Sequence, residues 1–94
     1  MPVHRADENQ KEIVEGLRAI GISVLILSQV GGGCPDLLVV DREGNNILLE
    51  VKTEKGKLRE SQKKFMKEWE GPIYLVRNLD DAMSYVILKQ KQKE

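Results

Sequence analysis

Apolar residues at Ile13, Val14, Leu17 and Ile20 follow the i, i+1, i+4, i+7 stripe of an amphipathic helix and predict one over residues 7–20. Asp7 suits its N-cap and Gly21 its stop. The period then changes. Residues 22–30, ISVLILSQV, are β-branched and aliphatic and too few for another typical helix, so they predict a strand. Gly31-Gly32-Gly33 breaks that pattern, and Pro35 biases Cys34 toward extended geometry. Strands predicted over 36–41 and 46–53 flank Arg42-Glu43-Gly44, a three-residue hairpin loop whose glycine takes the left-handed position. Gln62, Phe65, Met66 and Trp69 return to helical spacing and predict a helix over 59–69, ended by Gly71-Pro72. A fourth strand over 73–77 and a last helix over 80–88, capped by Asn78 or Asp80, complete the pattern. The charged tail 89–94 is expected to fray, and His4, ahead of the first helix, is taken as a terminal residue rather than a general base.

The predicted order is α-β-β-β-α-β-α. Three strands joined by short turns make an antiparallel meander, and the helix between the third and fourth permits a crossover to parallel pairing. The class is α/β with a mixed sheet of the α+β kind, in a single domain over 1–94 with an ordered core over about 7–88.

Composition adds limits. At 94 residues and 40% hydrophobic the chain is a small globular domain. No apolar run approaches the ~20 residues that span a bilayer. One cysteine, Cys34, excludes an internal disulfide and a multi-cysteine zinc cluster, and no second thiol or base stands ready to make it a nucleophile. With no hydrophobic signal core at the N-terminus, the expected compartment is cytoplasmic, with no membrane partner. Net charge is zero, yet residues 52–67 hold seven basic residues against two acidic, leaving that stretch strongly positive. A localised basic stretch can bind phosphates although the total balances, and a Lys-rich solvated helix face is also commonplace.

The sharper signal is Glu50-Val51-Lys52. Alternation along a strand puts Leu48, Glu50 and Lys52 on one face and Ile47, Leu49 and Val51 on the other. The second set is expected to pack, leaving the charges on an open polar face. If Arg42-Glu43-Gly44 is the loop, Leu38 faces Leu48 and Asp36 faces Glu50; a two-residue Glu43-Gly44 loop would send the carboxylates to opposite faces. Leu38 against Leu48 favours the first register. Carboxylates ~5 Å apart at Cβ repel unless a cation or proton lies between them. A hard ion such as Mg2+ takes such oxygens together with substrate phosphate. With Lys52 beside an attacking water and a basic helix downstream, this set points to metal-assisted phosphodiester hydrolysis. The bland alternative is an exposed Glu-x-Lys ion pair worth ~0–1 kcal/mol.

Pro35-Asp36 followed by Glu50-Val51-Lys52 resembles the PD-(D/E)XK nuclease superfamily, whose restriction-endonuclease-like core has a similar element order. More narrowly, Gly33-Cys34-Pro35-Asp36-Leu37-Leu38, Glu50-Val51-Lys52 and Leu58-x-x-x-Gln62 resemble the VRR-NUC (virus-type replication-repair nuclease) domain, in particular its stand-alone phage and bacterial forms, over about residues 8–82. The resemblance implies metal ligation by Asp36, Glu50 and the main-chain carbonyl of Val51, action of Lys52 on water, and Gln62 against the site; by spacing alone Gln62 reads equally as a polar residue of the helix surface. On the first helix, related Holliday-junction resolvases carry a Glu where this chain has Gln10, in front of the matching Ile13, Val14, Leu17 and Gly21. A neutral amide binds metal weakly or only orients substrate, and a purely structural Gln10 tying helix to sheet is an equal reading.

The resulting expectation is a Mg2+- or Mn2+-dependent DNA endonuclease acting on branched DNA, as the homodimer that the resemblance implies or as a monomeric flap or nicking nuclease, in a bacterial or phage-infected cell. Lys55, Lys57, Arg59, Lys63 and Lys64 would hold the DNA backbone without reading sequence. A non-catalytic DNA-binding module with the same fold is the alternative, and nothing in the sequence separates DNA from RNA. Trp69 is expected in the core rather than as a platform for bases.

Overall fold

The protein is described by a computed structural model covering residues 5–87, so His4 and the tail from residue 88 lie outside the described residues. Seven elements follow in the predicted order: α1 (Arg5–Ala19), β1 (Val24–Ile26), β2 (Leu37–Val40), β3 (Asn46–Val51), α2 (Glu60–Glu68), β4 (Ile73–Val76) and α3 (Leu79–Val86). One sheet of order β1-β2-β3-β4 holds all four strands. The first two pairings are antiparallel and the β3–β4 pairing is parallel, as the intervening helix requires. The result is a mixed α+β fold with the element order expected of a restriction-endonuclease-like core.

The hairpin between β2 and β3 sets the register. Asp41 donates its N–H to Asn45 O at 2.8 Å and accepts Gly44 N–H at its carbonyl at 3.0 Å. Its Oδ1 accepts the N–H groups of Glu43 and Asn45 at 2.9 and 2.8 Å. Gly44 takes φ +88°, the left-handed region a glycine enters without strain. Arg42-Glu43-Gly44 is therefore the loop, and Leu38 pairs with Leu48.

The face of the sheet bearing Val39, Ile47, Leu49 and Val51 packs against Ile13, Val14 and Leu17 of α1 and Ala82 and Val86 of α3. Burying this apolar surface at ~25 cal/mol per Å2 is the main stabilising term. The α1 stripe read from the sequence is the buried one.

Three expectations change. Helix α1 already includes Arg5, so Asp7 sits within the first turn, favourable to the helix dipole but not the N-cap. The first strand shrinks from nine residues to Val24–Ile26: Ile22 turns into the core, and Val30 N–H closes a turn onto Leu27 O at 3.0 Å. As an edge strand it leaves Leu25 and Ile26 exposed. The face carrying Leu48 and Glu50 is not open either, because α2 lies over it and leaves Glu50 only 2% exposed. The other elements fall within two residues of expectation, with Asn78 capping α3 by accepting Asp81 N–H at 2.8 Å.

Candidate active site

Asp36 stands one residue before β2, next to Pro35, and its carbonyl accepts Leu27 N–H at 2.7 Å. Its Oδ2 accepts the N–H of Val51 at 2.9 Å, so the carboxylate is fixed by the strand that carries Glu50. Continuing the ladder from Leu37↔Leu49 places Asp36 opposite Glu50. The two carboxyl groups lie within reach of a shared hydrogen bond.

Glu50 is held by a helix rather than by solvent. Gln62, itself 5% exposed, donates Nε2 to Glu50 Oε2 at 2.9 Å and accepts Arg59 N–H at Oε1 at 2.8 Å. Lys52 Nζ approaches the same Oε2 at 3.8 Å, with its side chain 14% exposed. The other oxygen, Glu50 Oε1, is buried with no hydrogen-bond partner among the described residues. An unpaired buried carboxylate oxygen is costly, and its usual remedies are a proton or a cation. Burial, and next the Asp36 charge, push the Glu50 carboxyl up to about 7; Lys52 pulls it down, the chance to share a proton with Asp36 once protonated raises it further, and Arg59 lowers it.

The glycine run closes the site from one side. Gly31, Gly32 and Gly33 have φ of +82°, +65° and +83°. A Cβ on Gly33 would fall on the Ser61 carbonyl oxygen, whereas at Gly31 and Gly32 it would meet nothing within 4 Å. Gly33 therefore lets the loop press against the first turn of α2, which carries Gln62. The half-buried Cys34 has its thiol pushed up by burial and then by the charges of Glu50 and Asp36, which makes it a poor nucleophile at neutral pH.

Asp36, Glu50, Lys52 and Gln62 are thus brought together, and Val51 lies between two of them in the chain. Gln10 is not joined to them by a hydrogen bond: its Oε1 accepts Ser28 Oγ at 3.1 Å, which ties α1 to the loop after β1. Of the basic residues, Lys63 pairs with Glu60 at 3.4 Å and Lys64 with Glu68 at 3.0 Å on their own helix. Lys55, Lys57 and Arg59 are exposed along the approach to α2 and form no ion pair among the described residues. Trp69 is not a core residue. It is 47% exposed at the C-cap of α2 and stacks on Phe65 with centroids 5.3 Å apart, because the helix ends before its indole reaches the sheet.

Among the described residues no three His, Cys, Asp or Glu side chains converge as a metal cluster. The donor set that fits a hard cation here is two carboxylates with main-chain oxygen, and the partnerless Glu50 Oε1 is the atom that such an ion would satisfy.

Two neighbours of this site carry no sequence signal. Asn9 donates Nδ2 to both Lys52 O and Arg77 O at 3.0 Å. Arg77 donates Nη1 to Thr53 O, Glu54 O and Gly56 O at 2.6, 3.1 and 2.8 Å. Both side chains bond to main-chain carbonyls, so no partner residue type marks them in the sequence.

Comparison with known proteins bears on the family and the fold. The family model described as the VRR-NUC domain matches residues 1–76. A solved structure described as a VRR_NUC domain superposes with a TM-score of 0.64 at 26% identity, covering 88% of this chain and 97% of that one. No curated protein matches significantly.

Proposed function

Starting from the membership of this chain in the VRR-NUC family of nuclease-type domains, we propose that it is a Mg2+- or Mn2+-dependent DNA endonuclease hydrolysing phosphodiester bonds. The observation that carries this reading is the buried, partnerless Oε1 of Glu50, set against Asp36 with the Lys52 ammonium 3.8 Å from its other oxygen. Asp36, Glu50 and the Val51 carbonyl would hold the cation. A divalent ion there supplies positive charge that polarises the scissile phosphate and makes nearby water more acidic. Asp36 is oriented for this by Val51 N–H, and Glu50 by Gln62, so neither carboxylate has to reorganise. Lys52, as an ammonium, would orient the attacking water and stabilise the negative charge that develops on the phosphate, while the water's proton leaves to solvent.

The cations Lys55, Lys57 and Arg59, which form no ion pair among the described residues, would hold phosphates without base contacts, which favours selection of DNA by shape. Branched DNA cut by a twofold dimer is the form of this activity we propose. A row of Leu25, Leu38, Leu48 and Ile73 crosses the Glu50 face of the sheet and ends in Leu25, 57% exposed at the free β1 edge, which gives a second copy an apolar surface to meet. A second reading, a DNA-binding module without catalysis, is favoured by one observation: Gln10 directs its amide to Ser28 and adds no charge to the site.

The deciding experiment incubates the protein with linear, flap and four-way-junction DNA in Mg2+, Mn2+ or EDTA, beside Asp36→Asn and Lys52→Ala. The expected outcome is cutting of branched DNA with metal only, abolished by Asp36→Asn and reduced ~10²–10⁴-fold by Lys52→Ala. Metal-independent binding without cutting of any substrate would establish the module instead.

A further inference from the structure

The ladder between the parallel strands β3 and β4 ends at Val51↔Val76, so Lys52 and Arg77 are the first residues beyond it on either strand. Lys52 N–H still reaches Val76 O at 3.0 Å. Beyond that point the carbonyls of Lys52 and Arg77 have left the ladder, and both are taken by the two protons of Asn9 Nδ2, each at 3.0 Å. The Lys52 backbone is therefore tied to β4 through its N–H and to α1 through its carbonyl.

The loop that follows is gathered by one side chain. Nη1 of Arg77 lies among Thr53 O, Glu54 O and Gly56 O at 2.6, 3.1 and 2.8 Å, and Gly56 N–H closes the turn onto Thr53 O at 3.1 Å. Arg77 forms no ion pair among the described residues; Asp81 Oδ2 instead takes its backbone N–H at 2.9 Å. Guanidinium is planar, permanently charged and weakly hydrated, which suits it to a position among partly buried carbonyl dipoles. Without it, three carbonyl oxygens directed at one point repel, and Gly56 O loses its partner while Thr53 O keeps only the Gly56 N–H. The loop between Lys52 and Lys57 would then open from its own first residue.

We propose that Asn9 and Arg77 form a positioning clamp that fixes the main chain on which Lys52 stands and so aims its amine at the Asp36–Glu50 pair. The catalytic consequence rests on the nuclease reading above; the positioning itself does not. Neither residue touches the reacting groups, and each acts through Lys52. A positional error of about 1 Å in a reacting group lowers a rate by ~10²-fold, which is the scale on which the clamp operates. An ammonium carries three protons but reaches one bond less far than Nη1, so Arg77→Lys recovers the clamp in part.

The test uses Arg77→Ala, Arg77→Lys and Asn9→Ala in the full chain, each checked for native circular dichroism. Lys52 reactivity is read by pulse labelling with an amine-acylating reagent and peptide mass spectrometry, with Lys11, Lys63 and Lys64 as internal references. Arg77→Ala and Asn9→Ala are expected to raise Lys52 labelling several-fold while the references stay constant, and Arg77→Lys to lie between. On branched DNA with Mn2+, kcat should fall ~10- to 100-fold with KM little changed. In a Lys52→Ala background the same substitution should add no more than about 2-fold, because both act through one amine. Unchanged Lys52 labelling, a rise shared by the reference lysines, or losses that multiply in the double variant would each overturn the clamp. If the wild type cuts nothing, the nuclease reading falls while Lys52 labelling still decides the clamp.

Discussion

Gln62 Nε2 donates to Glu50 Oε2 at 2.9 Å across an interface where both side chains are at least 95% buried, so a helix laid over the sheet holds the central carboxylate by one amide. Gln62→Leu removes that donor without removing bulk, leaves Glu50 Oε2 with only the longer Lys52 contact and takes the acceptor from Arg59 N–H. The expected loss is ~1–3 kcal/mol of unfolding free energy, measured by urea denaturation without metal. Gln62→Glu should lose as much or more at neutral pH and less at acid pH, since it places a third carboxyl beside Asp36 and Glu50.

The raised Glu50 carboxyl makes a signed prediction. Its affinity for a proton is higher folded, about 7, than unfolded, near 4.5, so the folded state binds more protons between these values. Glu50 therefore stabilises the metal-free fold fully below about pH 4.5, and that contribution is lost as pH rises through about 7. The loss is no more than about 3 kcal/mol. Glu50→Gln should flatten this segment of the stability-versus-pH curve; an unchanged slope in that variant would place the titration elsewhere. Because a cation must displace the same proton, Mn2+ affinity measured by calorimetry should strengthen over the same interval.

The three glycines of the turn should not be equivalent. Gly32→Ala incurs only the strain of a left-handed backbone, about 1–2 kcal/mol. Gly33→Ala incurs that strain and also drives a methyl group into the Ser61 carbonyl, so α2 must move and carry Gln62 away from Glu50. Thermal unfolding should rank Gly33→Ala well below Gly32→Ala, and only Gly33→Ala should weaken Mn2+ binding.

Pairing sorts the basic residues. Lys63 and Lys64 already pair with Glu60 and Glu68, whereas Lys55, Lys57 and Arg59 form no ion pair among the described residues. Replacing the last three with alanine should lower the slope of log K against log salt by up to about 0.9 for each phosphate no longer neutralised. Replacing Lys63 and Lys64 should change it less. Fluorescence anisotropy with labelled duplex DNA in EDTA measures both.

Sequence by itself determined the element order, the α1 stripe, the hairpin and the pairing of Leu38 with Leu48, because helical and strand periods and a Gly at a left-handed turn position are local properties. That register carried Asp36 to Glu50, so the acidic half of the candidate site was legible in the chain's own spacing. Alternation could say which face Glu50 takes but not what covers that face. Tertiary structure decided that α2 lies on it and buries the carboxylate, that Trp69 falls beyond the helix and stays exposed, and that Gln10 turns to Ser28. It also brought Asn9 to the Lys52 carbonyl across 43 positions of chain, and Arg77 to the Thr53 carbonyl across 24. Main-chain carbonyls offer the same acceptor at every residue, so such bonds leave no mark on residue type and appear only when the chain is folded.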